Sequence, residues 1–211
     1  MSATILREML GKTIIEIRGN KQDNQLLFIT NDECFKFWHI QDCCESVEIE
    51  DITGELEDLI GEPILMAEVV SDHEEDNHDW SRTWTFYKFA TRKGYVDIRW
   101  LGESNGYYSE EVNYVNLPIT QNLKIEKAEI DQRCTWDAAK LVAFLANIDG
   151  KTGWRLPTAA EWGTLYITNH ELNGCWLSEP YQWVYGRTFE VECSANDKKF
   201  VRDVMLVRDL D

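Results

Sequence analysis

Gly153-Trp154-Arg155-Leu156-Pro157-Thr158-Ala159-Ala160-Glu161-Trp162 carries the most explicit folding signal in the chain. Thr158 follows a proline and stands in an N-cap position, and Glu161 comes three residues later, where its carboxylate can return a hydrogen bond to the Thr158 amide. This reciprocal pairing satisfies two amides that a helix start leaves without partners, so the segment predicts a helix opening just after Thr158. Upstream, Thr135 is a second N-cap and Asp137 falls in the first turn, where the helix dipole favours an anion. Leu141, Val142 and Leu145 then recur on one face before Asp149-Gly150 ends the run. Downstream, strands are expected around Gly186–Cys193 and Phe200–Arg208, which makes this half an α+β unit.

Toward the N-terminus the rhythm changes to short strands. Ile14-Ile15-Glu16-Ile17, Gln25-Leu26-Leu27-Phe28-Ile29, Cys34-Phe35-Lys36-Phe37-Trp38 and Ser46-Val47-Glu48-Ile49 are β-branched or aromatic runs separated by Gly, Asn and Asp. Arg82–Phe89 and Tyr95–Trp100 add two more, joined through Lys93-Gly94, and Gly54–Gly61 reads as a short helical turn. An antiparallel meander follows. Residues 1–118 hold 24 acidic and 10 basic residues, against 14 and 11 in residues 119–211. With Pro118 and several asparagines at the change, two domains are expected, 1–118 and 119–211.

The 211 residues are 44% hydrophobic and 12% aromatic, enough to bury a core, which excludes intrinsic disorder and collagen-like repeats. A net charge of −17 argues against a general surface that coats nucleic acid or anionic lipid. No apolar run reaches the ~18 residues of a membrane span, and charges interrupt the first residues, so a soluble, cytoplasmic protein is expected. The six cysteines lack C-x-x-C spacing and suit reduced thiols. Cys43 and Cys44 are adjacent, and the acids around them disfavour thiolate reactivity.

Catalytic motifs fail on context. Gly102-Glu103-Ser104-Asn105-Gly106 fits G-x-S-x-G, but Asn105-Gly106 before two tyrosines reads better as a hairpin turn than as a strand-to-helix elbow. Gly11-Lys12-Thr13 and Gly150-Lys151-Thr152 lack the first glycine of a phosphate loop, since positions 6 and 145 are Leu. His73 and His78 lie in the acidic stretch 72–79, without the glycine of a calcium loop or the helical spacing of a zinc pair, so a solvated loop is expected there. No catalytic residue, metal site or cofactor is assigned.

The Gly153–Trp162 segment resembles the signature of the C-type-lectin-like fold of formylglycine-generating (sulfatase-modifying) enzymes and related bacterial and phage families. Thr135–Lys140, Cys175-Trp176-Leu177-Ser178 and Phe200–Arg208 follow in the order that family shows. The resemblance implies an α+β chain in which an antiparallel β-rich domain precedes a C-type-lectin-like domain. It does not bring the oxidase activity, because those enzymes carry a pair of copper-binding cysteines near the domain end, whereas Cys193 stands without a close sequence partner. The first half is similar to a family of small bacteriophage proteins through Gln41-Asp42-Cys43-Cys44-Glu45 and Gly102–Ser109. That likeness implies a phage or prophage source and a task such as blocking a bacterial defence.

These readings converge on a non-enzymatic binding protein that inhibits a bacterial host protein, an anti-phage defence or nucleic-acid-binding enzyme. Glu48, Glu50, Glu55 and Glu57 are the expected acidic contact face, imitating a phosphate backbone. Trp176, Trp183, Tyr185 and Arg187 are the expected binding loops, being residue types enriched at hot spots. One alternative is a sponge for a nucleotide signal, using Arg82, Arg92, Lys93 and Arg99 among Trp84, Tyr87, Tyr95 and Trp100. The other is a copper-dependent oxidase of the formylglycine-generating type.

Overall fold

The computed structural model describes residues 4–41, 43–75, 80–168, 174–179, 182–184, 191–193 and 202–210. The chain divides into two compact units, residues 1–116 and 117–211. Among the described residues antiparallel strands predominate and are accompanied by two α-helices, which makes an α+β protein.

The described residues of the first unit form two sheets. Strands β1 (Thr4–Ile5), β6 (Met66–Glu75), β7 (Ser81–Ala90), β8 (Tyr95–Ser104) and β5 (Glu45–Thr53) form one of them, in the order β1-β6-β7-β8-β5. Strands β2 (Glu16–Arg18), β3 (Gln25–Ile29), β4 (Glu33–Trp38) and β9 (Asn113–Pro118) form the other, in the order β2-β3-β4-β9. Side chains alternate between faces along a strand, and one face of each sheet joins a shared core. Leu26, Phe28, Phe35 and Phe37 enter it from the smaller sheet, and Val47, Ile49, Tyr87, Phe89, Val96, Ile98 and Trp100 from the larger. Phe37 meets Phe28 and Tyr87 edge-on at 5.7 and 4.7 Å between ring centres, the offset that aromatic quadrupoles favour.

The strand runs foreseen at 25–29, 34–38, 46–49, 82–89 and 95–100 all lie in strands, and the 54–61 segment forms a 3-10 turn over Leu56–Leu59. The β7–β8 hairpin closes through Thr91, whose amide donates to the Gly94 carbonyl at 3.0 Å. Two expectations need correction. The acidic stretch is a strand as far as Glu75, because the backbone of β6 pairs with β7 along its whole length whatever its outward side chains; residues 76–79, with His78, lie outside the described residues. Asn105-Gly106 is not a type I′ turn, since Gly106 has φ of +77° while Asn105 does not share the positive region. Ser104 ends β8 fully buried, with no helix after it, so the hydrolase elbow is absent.

In the second unit, β10 (Ile125–Cys134) pairs antiparallel with β13 (Arg202–Asp209), and α1 (Trp136–Leu145) and α2 (Ala159–Thr168) lie between them in sequence. A small hairpin joins β11 (Gln182–Val184) to β12 (Val191–Cys193). Both foreseen N-caps form. The Thr135 hydroxyl accepts from the Ala138 amide at 3.4 Å. Thr158 and Glu161 exchange amide bonds at 2.8 and 3.2 Å, which is the capping box. Glu161 also receives both forks of Arg155 at 2.7 and 2.8 Å. Burial alone would raise its carboxyl; the Arg155 and Thr158 hydrogen bonds outweigh that and hold it below the usual range. The core is rich in tryptophan, and its indoles are tied to backbone carbonyls: Trp136 to Leu177 and Trp154 to Lys151, both at 2.9 Å.

Candidate functional site

Glu48 and Glu50 place the first candidate surface. Val47 and Ile49 point into the core, so Glu48 faces outward, and Glu50 is the extra residue of a bulge between the Ile49–Trp100 and Asp51–Arg99 pairs. Glu50 accepts from the Arg99 Nε at 2.6 Å and so shares the outer face with it. Glu55 and Glu57 are exposed on and beside the 3-10 turn beyond the end of β5, apart from that face.

The registers of β5 to β8 specify what surrounds Glu48. One cross-strand row reads Asp72, Trp84, Leu101, Glu48; the next reads Val70, Phe86, Arg99, Asp51. Trp84, Phe86, Leu101 and Val70 are half-buried, forming an apolar patch on a face directed away from the core. Charges border it. Arg82 is paired with Glu103 at 2.6 Å, Lys88 with Asp97 at 3.7 Å and Arg99 with Glu50, so the cations of this face are already engaged. Among the described residues no cation stands within ion-pair distance of Glu48, Glu68, Asp72 or Glu74, which leaves the patch with a net negative rim.

The residues of the nucleotide alternative are divided between faces. Tyr87 and Trp100 belong to the core, whereas Arg82 and Arg99 lie on the opposite side of the same sheet. Lys93 donates to the Ile60 carbonyl at 2.6 Å.

At the Ser104 end of β8 the sheet is finished by a buried polar knot. Glu110 accepts from Ser104 at 2.8 Å, from Thr83 at 2.6 Å and from Ser81. His73 lies 2.8 Å from the Thr83 hydroxyl and 3.7 Å from Glu110. Burial pushes the Glu110 carboxyl upward, and the three hydroxyls with His73 more than reverse this, leaving it below the ordinary range. Gly102 permits the arrangement: a Cβ there would lie 2.6 Å from the Glu110 carbonyl oxygen. Beside the knot, the buried His39 ring donates from Nδ1 to the Glu111 carbonyl and meets Glu45 through Nε2, both at 2.8 Å. These contacts fix the loop 105–111 against the turn that carries Cys43 and Cys44, and Tyr108 reaches Cys43 at 3.0 Å. Two segments more than sixty residues apart, singled out separately in the sequence, thus meet.

In the second unit Trp176 is a core residue, 1% exposed, and its indole donates to the Cys134 carbonyl at 2.6 Å. It does not sit on an open loop. The reason is a long-range pairing: Cys175-Trp176 runs beside the start of β13 and is drawn inward with it. Trp183 lies on β11 with its side chain outside the described residues, and Tyr185 and Arg187 are outside them altogether. Of the cysteines, Cys175 is buried and its thiol is pushed up by desolvation, while Cys193 ends β12 with its side chain beyond description. Helix α1 buries Trp136, Ala139 and Ala143, so the foreseen apolar face is corrected: Leu141 and Leu145 are 57 and 67% exposed and Val142 is half-buried, while the neighbouring Phe144 is 83% exposed. Two alanines let the helix backbone approach the core closely, and the larger side chains turn out.

Among the described residues no cluster of three His, Cys, Asp or Glu is arranged for a metal ion, and no helix is long and apolar enough to cross a membrane. No curated protein and no solved structure matches the chain. Residues 7–114, slightly more than half of its length and covering the outer sheet face and the polar knot, match a family described as a domain of unknown function (DUF7448), and the chain belongs to that family.

Proposed function

We propose that this is a non-enzymatic binding protein that docks a basic protein on the outer face of its five-stranded sheet. The single observation behind the reading is the patch of Trp84, Phe86, Leu101 and Val70, bordered by Glu48, Glu68, Asp72 and Glu74 on a face whose cations are already paired. Large aromatic side chains at the centre of a contact supply most of its affinity. A surplus of carboxylates around them speeds encounter with a cationic surface and repels anionic competitors. The partner class we infer is a bacterial host protein with a nucleic-acid-binding groove, such as a defence enzyme of the cytoplasm, which the protein inhibits by occupying that groove. On the same reading the second unit is a C-type-lectin-like domain, supported by the Gly153–Trp162 signature and its capping box.

The test uses the full chain as bait in bacterial lysate, followed by affinity measurement with the captured, identified protein. A double Trp84→Ala, Phe86→Ala variant should weaken binding about a hundredfold or more, in line with two central hot spots. Glu48→Lys with Asp72→Lys should slow association and reduce its salt dependence. Unchanged affinity in both folded variants refutes the surface, and a partner without a basic groove refutes the target class.

A further inference from the structure

The turn before β5 carries two adjacent cysteines whose side chains converge. Successive residues of an extended strand point to opposite faces, but Cys44 has φ of +127°, and the resulting turn brings both thiols to one side. Cys43 and Cys44 are both exposed, with their sulfurs 3.6 Å apart. The turn is clasped from outside: Tyr108 touches the Cys43 sulfur at 3.0 Å, and the Asn105 amide donates to the Cys44 carbonyl at 3.3 Å. The loop providing both contacts is itself anchored through Glu110 and the Glu111 carbonyl.

We propose that Cys43 and Cys44 form a two-thiolate chelating site for a thiophilic divalent metal ion of the zinc class. A tetrahedral ion with metal–sulfur bonds near 2.3 Å holds its sulfurs about 3.8 Å apart, close to the spacing already present. A disulfide would require them to close to about 2.05 Å, from neighbouring α-carbons nearer together than ordinary disulfides allow. Binding replaces two S–H bonds with two metal–sulfur bonds and releases two protons to solvent. Among the described residues no third His, Cys, Asp or Glu completes a cluster, and Asp42, which precedes the pair, lies outside them. Of the remaining cysteines, Cys34, Cys134 and Cys175 are buried, and desolvation raises each thiol, to about 12 for Cys34.

The experiment is zinc titration of the reduced full-length chain by calorimetry in two buffers of different ionisation enthalpy, with cobalt(II) as a spectroscopic probe. The expected result is proton release and a sulfur-to-cobalt charge-transfer band, with one ion bound per chain or one shared by two. Cys43→Ser or Cys44→Ser should each weaken binding about a hundredfold, the loss expected when a chelate becomes a single ligand. Cys193→Ser should change nothing. Binding that survives both single substitutions but disappears with His73→Ala and His78→Ala would overturn the assignment. So would a chain that ignores zinc yet loses two hydrogens at Cys43 and Cys44 when treated with oxidised glutathione.

Discussion

Glu110 offers the sharpest perturbation of the first unit. Its buried carboxylate accepts from three hydroxyls, at 2.6 Å from Thr83, 2.8 Å from Ser104 and a third bond from Ser81. Hydrogen bonds to an ionised group contribute roughly 1.5–3 kcal/mol each, and bonds sharing one acceptor do not add fully. Glu110→Ala should therefore cost about 3 kcal/mol, since it takes a charged acceptor away from the buried Ser81 and Ser104 hydroxyls and the half-buried Thr83 hydroxyl. With a urea slope near 2 kcal/mol per molar, the midpoint of the transition should fall by about 1.5 M. Glu110→Gln keeps the shape and one acceptor, and should lose only about 1 kcal/mol at neutral pH. The native carboxyl lies below its ordinary value of 4.5, so its stabilisation is complete above that value and fades as pH falls through the lower native one. The gap between the native protein and Glu110→Gln should accordingly close in acid. A loss under about 1 kcal/mol for the alanine variant, or a gap that widens on acidification, refutes this account of the knot.

Two further outcomes concern the second unit. Trp176→Phe removes a core indole donor and should lower stability by about 2 kcal/mol in denaturant titration; full stability together with lost partner binding would contradict its placement in the core. Phe144→Ser, on the exposed face of α1, should stay within about 0.5 kcal/mol of the parent in denaturant titration; a loss above about 1.5 kcal/mol would mean that this helix face is covered.

What the sequence discloses, and what it conceals, follows from which forces act locally. The capping box at Thr158–Glu161 and the runs of β3, β4, β7 and β8 are legible because cap bonds, the continuous apolar runs of the buried β3 and β4 and the alternating burial of β7 and β8 are written within a few residues. The polar end of β6 is not, because Asp72 to Glu75 owe their strand geometry to backbone pairing with Ser81–Trp84. Helix α1 misleads because its alanines, rather than its leucines, make the close contact. On β7, Trp84 and Phe86 look as apolar as Tyr87 and Phe89, so alternation alone cannot say which pair faces solvent; the opposing sheet decides. Glu48 and Glu50 were visible as acids, yet their aromatic neighbours come from other strands. The approach of Tyr108 to Cys43 depends on long-range closure and on one φ angle, neither of which a linear pattern encodes.

The pairing of Ile125 with Asp209 and of Cys134 with Arg202 has a consequence for biosynthesis. β10 leaves the ribosome about 70–80 residues ahead of its partner, several seconds at translation rates of roughly 5–20 residues per second. During that interval its amides and carbonyls form an open edge, the kind of template on which misassembly begins. The β6–β7–β8 meander is complete within residues 66–104 and needs no such wait. Vectorial synthesis thus sets an order of sheet closure, and the stretch between the appearance of β10 and that of β13 is where a chaperone would have most to protect.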